Sequence, residues 1–189
     1  MYANYFIYLT PMITYKRATS DKELHEILAI QKRSLKANTS LQDREEQGYI
    51  TVPHTFEILE KMNDTCAHIL AMDGDIVAGY ALVMLRSFKY EMPILIPMFE
   101  TADTLLKGKN YVAMGQVCID KPYRGQGVFK GMYTFYKEEL SDSYDCLFTE
   151  VAIANTRSIE AHKRVGFKIL ETQMTDGTLW AMINWDWNR

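Results

Sequence analysis

Apolar and polar positions along the chain fall into blocks whose spacing predicts a run of strands and helices. Residues 13–18 read as a first strand. Ser20-Asp21-Lys22-Glu23 then forms a capping box, with the hydroxyl bonding forward and the Glu23 carboxylate bonding back. Leu24, Ile27, Leu28, Gln31 and Leu35 recur at helical spacing and give that helix one apolar face. The polar run 36–48 reads as a loop with a helical turn in it. A second helix over 55–62 places Phe56, Leu59 and Met62 on one side. Two apolar runs, 67–72 and 76–85, flank Asp73-Gly74-Asp75, which predicts a hairpin.

The middle of the chain is less regular. Pro93 and Pro97 interrupt residues 88–106, and a short helix is expected over 99–106. Two readings of this insertion stand side by side: a pocket wall, with the Met and aromatic residues between 84 and 99 facing an acceptor, or a packed loop. An apolar strand over 111–119 follows, then a turn over 120–123. Arg124-Gly125-Gln126-Gly127-Val128-Phe129 next opens a helix with Val128, Met132, Phe135, Tyr136 and Leu140 on its core face, and the polar aromatic Tyr133 beside them. Residues 146–153 form a further strand, apolar except for Thr149 and Glu150. Asn155 or Thr156 caps a helix carrying Ile159, His162 and Val165, and Gly166 ends it. Lys163 and Arg164 sit where the helix dipole favours cations. Two last strands, 168–173 and 179–187, surround Thr175-Asp176-Gly177. Strand–helix alternation over 111–165, with hairpins on both sides, predicts an α/β fold with a mixed sheet covered by helices. There is no linker, internal repeat or low-complexity stretch, and 189 residues fit one domain.

Composition narrows the function classes. The net charge of −3 and the lack of any block of like charges give no footprint for nucleic acid. Cys66, Cys118 and Cys146 are an odd, sparse set without C-x-x-C spacing, so neither a disulfide framework nor a metal site is expected. Reduced thiols suit a cytoplasmic protein. Cys118 reads as a core thiol or as a nucleophile. The apolar run 5–9 lacks the basic flank and cleavage site of a signal peptide and is too short to span a bilayer. Met12 is a second candidate start, which would make residues 1–11 an N-terminal extension.

The glycine turn at 124–130 carries the first chemical signal. A helix start leaves backbone N–H groups without carbonyl partners, and the helix dipole adds positive charge at the same point. Glycine lets an anion approach that backbone, so the turn reads as a cradle for a pyrophosphate. Glycines also serve plain strand-to-helix turns, and a second signal is needed.

That signal is the segment from Val151 to Phe167. Together, the two stretches resemble the GNAT superfamily of acyl-CoA-dependent N-acyltransferases. Arg124 to Phe129 match its Arg/Gln-x-x-Gly-x-Gly/Ala motif, and Asn155, Ser158 and Val165-Gly166-Phe167 match the strand–helix–Gly-Phe segment that follows, about thirty residues on. The likeness covers residues 13–187 and implies a GNAT-like domain over 12–189. Its sheet is implied to be mostly antiparallel, with strands four and five splayed around a pantetheine arm. The resemblance further implies that the backbone of Val117, Cys118 and Ile119 pairs with the pantetheine amides. The turn from Arg124 through Gly125, Gln126, Gly127, Val128 and Phe129 to Lys130 would hold the pyrophosphate. Asn155 would reach the pantetheine, helped by Ser158. Three departures stand out: Phe129 replaces the motif's final small residue, His162 stands where relatives carry a tyrosine, and Ala113 stands at the position aligned with a strand-four glutamate.

The implied reaction is attack of a neutral amine on acetyl-CoA, with no metal. A base must take the amine's proton, backbone donors near Ile119 would hold the oxyanion, and the thiolate needs a donor. His162 suits that last role because imidazole titrates near neutrality; its other reading is a satisfied core histidine. Glu150, beside the expected thioester, is the candidate base; its other reading is a solvated or salt-bridged carboxylate. Tyr133 and Gln116 are weaker candidates, and a water chain would leave no mark. The acceptor, a small-molecule or peptide amine, is not specified. No nucleic-acid or membrane partner is expected, and Trp185 and Trp187, read as exposed on the late strands, permit a homodimer. A nucleotide hydrolase lacks its lysine–hydroxyl pair here, and a dinucleotide oxidoreductase lacks its third glycine. The rival from another class is a non-catalytic acyl-CoA sensor, which shares the cradle and needs no base.

Overall fold

The computed structural model describes residues 12–187; the expected extension over 1–11 lies outside them. Seven strands form one sheet in the order β1-β2-β3-β4-β5-β7-β6. They are β1 (Ile13–Arg17), β2 (Ile69–Asp73), β3 (Ile76–Met84), β4 (Tyr111–Ile119), β5 (Cys146–Ala152), β6 (Lys168–Thr175) and β7 (Thr178–Asp186). Every neighbouring pair is antiparallel except β4–β5. Among the described residues six α-helices cover the sheet: α1 (Asp21–Ser34), α2 (Leu41–Gln47), α3 (Phe56–Thr65), α4 (Ile96–Leu105), α5 (Val128–Leu140) and α6 (Thr156–Val165).

Alternation along the strands divides the core between two faces. Ala113, Phe148 and Met182 join α1, α3 and α4 on one side. Val112, Leu147 and Ile183 join α5 and α6 on the other. The capping box at Ser20 and Glu23 is present. Asn155, not Thr156, caps α6, accepting from the Ser158 N–H.

Three elements differ from expectation. The polar run 36–48 contains a full helix, α2, capped by Ser40 on the Asp43 N–H; none of its residues is buried, so no apolar stripe announced it. Helix α4 begins three residues early, because Pro97 sits in its first turn, where a missing N–H costs nothing. Trp185 and Trp187 are not free aromatics. Trp187 is 5% exposed and packs against Tyr136, while Trp185 packs against Tyr133 and Phe167. No helix among the described residues is long and apolar enough to cross a membrane.

The feature that makes a site is a fork in the sheet. β4 and β5 pair only from Tyr111–Cys146 to Ala113–Phe148. Beyond this, β5 continues beside β7 and β4 beside β3. The register between β3 and β4 explains the parting: Val83 faces Met114 and Ala81 faces Val117, so β4 carries one extra residue at Gly115–Gln116. A bulge of this kind bends its strand and increases its twist. At the fork's base, the Thr149 hydroxyl donates to the Met114 carbonyl at 2.8 Å, replacing the amide donor that a paired strand would supply.

Candidate active site

The fork opens into two cavities that share Tyr49, Ile50, Val117, Asn155 and Ser158. A strap over residues 48–52 crosses between them and is fixed at three points. Ile50 is bonded to the end of α1, its N–H donating to the Ser34 carbonyl at 3.1 Å and its carbonyl accepting from the Lys36 N–H at 2.9 Å. The Asn155 amide donates to the Tyr49 carbonyl at 2.9 Å. The Gln116 amide donates to the Val52 carbonyl at 2.7 Å. Behind the strap lies a buried polar network. Gln31 donates to the Gln116 carbonyl oxygen at 3.1 Å, Tyr80 donates to the same atom at 2.6 Å, and the His54 N–H donates to Gln31 at 2.8 Å. The His54 Nε2 is buried without a partner.

The larger cavity, about 350 Å³, is lined by Val117, Cys118, Ile119, Arg124, Gly125, Gly127, Val128, Phe129, Lys130, Asn155 and Ser158, with Arg157 and Arg164 from α6. Helix α5 starts at Gly127 without a side-chain cap. Its first main-chain bond runs from the Gly131 N–H to the Gly127 carbonyl, so the N–H groups of residues 128–130 have no partner within the helix. Gly125 and Gly127 have φ of +75° and +80°, and nothing lies within 4 Å of where a Cβ would stand on either. The space before the turn is therefore open, as a phosphate cradle requires. Phe129 does not obstruct it: its ring packs on Tyr133 and His162. Arg124 spends its Nε on the Ile119 carbonyl at 2.8 Å, holding the turn to the end of β4. Gln126 is turned away, donating to the Pro122 carbonyl, and is not among the lining residues.

The smaller cavity, about 80 Å³, lies across the strap and includes Thr51, Leu95, Met98, Gln116, Glu150, His162 and Trp180. Leu95 and Met98 belong to the 88–106 insertion, which thus walls a pocket while Phe88 and Phe99 pack in the core. Glu150 is half-buried, and burial pushes its carboxyl pKa up to about 7. It is neither solvated freely nor salt-bridged: among the described residues it makes no ion pair.

Other expectations are corrected by the geometry. His162 is 1% exposed. Its Nδ1–H donates to the Ser158 carbonyl at 2.8 Å, and its Nε2 accepts from the Tyr133 hydroxyl at 2.7 Å. Burial lowers its pKa to about 4, so it is neutral near pH 7 and does not supply the titrating proton the sequence suggested. Burial likewise raises the Tyr133 and Cys118 pKa values, which disfavours the anionic form of each. Ala113 lies in the paired base of the fork, opposite Phe148; the polar strand-four side chain beside the cavity is Gln116, displaced by the bulge. Asn155 has both polar ends engaged, its oxygen capping α6 and its nitrogen on the strap. Sequence reasoning missed the strap, the bulge and the cleft-facing Arg157. Gln31, polar on an apolar helix face, and Gly115, inside a strand, were the available signals.

Charge is sharply divided between the cavities. Among the described residues, the larger is lined by four cations, Arg124, Lys130, Arg157 and Arg164, and by no carboxylate. Among the same residues, the smaller is lined by one carboxylate, Glu150, and by neither lysine nor arginine. The fork thus presents positive charge on one side and a single carboxylate on the other.

Comparison with known proteins agrees with this architecture. Residues 24–167 match the model of the acetyltransferase (GNAT) family. The ribosomal-protein-S18-alanine N-acetyltransferase from Escherichia coli has the same fold, with TM-score 0.62, 14% identity, and coverage of 93% of this chain and 94% of that one. An N-acetyltransferase from Staphylococcus aureus Mu50 superposes with TM-score 0.62, 17% identity, and coverage of 92% and 98%. The NatC complex bound to Gag peptide and CoA contains a chain that superposes with TM-score 0.61, 13% identity, and coverage of 92% and 98%. At these identities the likeness is one of fold. No curated protein sequence matches the chain.

Proposed function

We propose that this chain, which belongs to the acetyltransferase (GNAT) family, is an N-acetyltransferase that moves an acetyl group from acetyl-CoA to a primary amine by direct attack. The observation that carries the reading is the division of charge across the fork, with a glycine-turn cradle on the cationic side and an unpaired carboxylate on the other. Bound acetyl-CoA would supply an activated thioester carbonyl.

The chain's own residues account for the remaining work. The N–H groups of residues 128–130 and the cations of Lys130, Arg157 and Arg164 suit the phosphates. The unpaired edge of β4 over residues 117–119 suits the pantetheine amides, and its N–H groups suit the oxyanion that develops on the thioester. Glu150 takes the proton from the amine, which has no lone pair while it is an ammonium ion. With a pKa near neutrality, it is ionised often enough to accept a proton and acidic enough to release it. The departing thiolate needs a hydrogen bond as its charge develops, and we assign that bond to the hydroxyl of Ser158, which lines both cavities and keeps its proton. His162, neutral and bonded at both nitrogens, acts through position by tying α6 to Tyr133 of α5. The three thiols are unpaired, in keeping with the cytoplasmic setting we favour.

The test has two steps. Acetyl-CoA should raise the melting temperature where ATP and NAD do not. Thiol release should then appear when amines are added. Binding without thiol release across a broad amine panel would identify a sensor instead.

A further inference from the structure

The acceptor side of the fork limits the amine that can reach Glu150, and this inference rests on the acetyl-transfer reading above. The cavity there is about 80 Å³, small beside the roughly 150 Å³ that holds a benzene molecule. It accommodates an amino group and about two or three adjoining atoms, and the rest of the acceptor must extend through the mouth. Leu95, Met98 and Trp180 give it apolar walls. The polar atoms of Gln116 are already committed, its nitrogen to Val52 and its oxygen to Gln31 and Tyr80.

Among the described residues, no lysine or arginine lines this cavity and Glu150 within it has no ion-pair partner. An ammonium ion entering as the acceptor meets a compensating charge. A carboxylate or phosphate carried beside the amine meets the reverse: a like charge at close range, apolar walls and no cation to replace its lost hydration.

We propose that the acceptor is a primary amine with no anionic group on the atoms next to its nitrogen. Alkylamines and the α-amine end of a peptide share that chemistry. Free amino acids and phosphorylated amines do not.

The experiment compares kcat/KM, per neutral amine, for isoamylamine, leucinol, leucinamide and leucine at saturating acetyl-CoA. The four share one branched side chain; leucinol and leucine differ chiefly in the carboxylate. Leucine should fall below leucinol by at least about tenfold. A preference for leucinamide over isoamylamine points to a peptide end, and the reverse to a small alkylamine; either order agrees with the proposal. Thr51, exposed at the mouth, offers a gain-of-function check: Thr51→Arg should raise leucine relative to leucinol. Leucine turned over as well as leucinol by the unaltered protein overturns this inference and leaves acetyl transfer standing. No thiol release with any of the four or across the broad amine panel, while acetyl-CoA still raises the melting temperature, overturns both.

Discussion

Asn155 holds the Tyr49 carbonyl across the mouth of the fork at 2.9 Å while its side-chain oxygen caps α6. One amide therefore sets both the start of a helix and the height of the strap dividing the cavities. Asn155→Ala should cost about 1 kcal/mol from the cap alone, or roughly 2–4 °C in melting temperature for a chain of this size. It should also raise KM for acetyl-CoA, because the strap loses an anchor beside the larger cavity. Gly48→Ala approaches the same contact from the other side: φ is +76°, and a Cβ would stand 2.9 Å from the Asn155 oxygen. Calorimetry and steady-state kinetics on both variants check the link; wild-type KM in both would separate the strap from coenzyme binding.

Glu150→Gln should lower kcat by about 10²–10³ if the carboxylate is the base, with acetyl-CoA binding unchanged. In the unaltered protein kcat/KM should rise with pH through about 7, where Glu150 ionises, and the variant should lose that limb. Stability supplies a second readout. Burial raises the folded-state pKa above the ordinary carboxylate value of 4.5. Between these values the unfolded chain releases its proton first, so this group makes folding less favourable as pH rises. Glu150→Gln should consequently melt higher than the unaltered protein at pH 8 and level with it at pH 4.

Gly127→Val should weaken acetyl-CoA binding by about tenfold or more, because its side chain would occupy the open space proposed for the phosphate. Strain at φ +80° also lowers stability, so a control is needed. Gly74 also has positive φ and open space, but lies in the β2–β3 turn. Gly74→Val should share the stability loss and leave coenzyme affinity unchanged in isothermal titration. Equal loss of affinity in both would remove the cradle from the account.

Tyr133 and His162 form a buried pair, and removing either alone strands its partner. His162→Leu should cost about 1–3 kcal/mol by leaving the Tyr133 hydroxyl unpartnered. The double variant His162→Leu, Tyr133→Phe should be less destabilised than the two single losses added together. A proton-donor role predicts otherwise: a pH–rate limb that disappears with His162 even where the fold is intact.

Acid should destabilise the fold well above the carboxylate range. Burial lowers the pKa of His54 to about 4, of His68 to about 3 and of His162 to about 4. Below the ordinary histidine value of 6.5, the unfolded chain takes up protons that the folded chain refuses, so stability falls as pH drops toward 4. His68 is held on both sides, donating to the Leu59 carbonyl and accepting from the Val83 N–H. Melting curves between pH 7 and 5 should show the decline, and it should exceed the opposite trend from Glu150, since three groups oppose one.

Local patterns made much of this protein readable without coordinates. The capping box at Ser20, the hairpin at Asp73-Gly74, the glycine turn at 124–127 and the Asn155 cap are each set by neighbours a few residues apart, so short spacing suffices to find them. The open helix start at Gly127 belongs to this class, because it brings its own N–H groups; Arg157 and Arg164, which face it from α6, do not. What only the folded chain decided involves partners far apart along it. The extra residue in β4, hinted at by Gly115, is located only against the register of β3. His162 becomes a neutral, doubly bonded core group only because Tyr133, 29 residues before it, reaches its ring. Glu150 is raised toward neutrality by walls drawn from the strap, the 88–106 insertion and β7. Chemical identity is written in the sequence, whereas protonation state and exposure depend on how much water the tertiary structure leaves around each group.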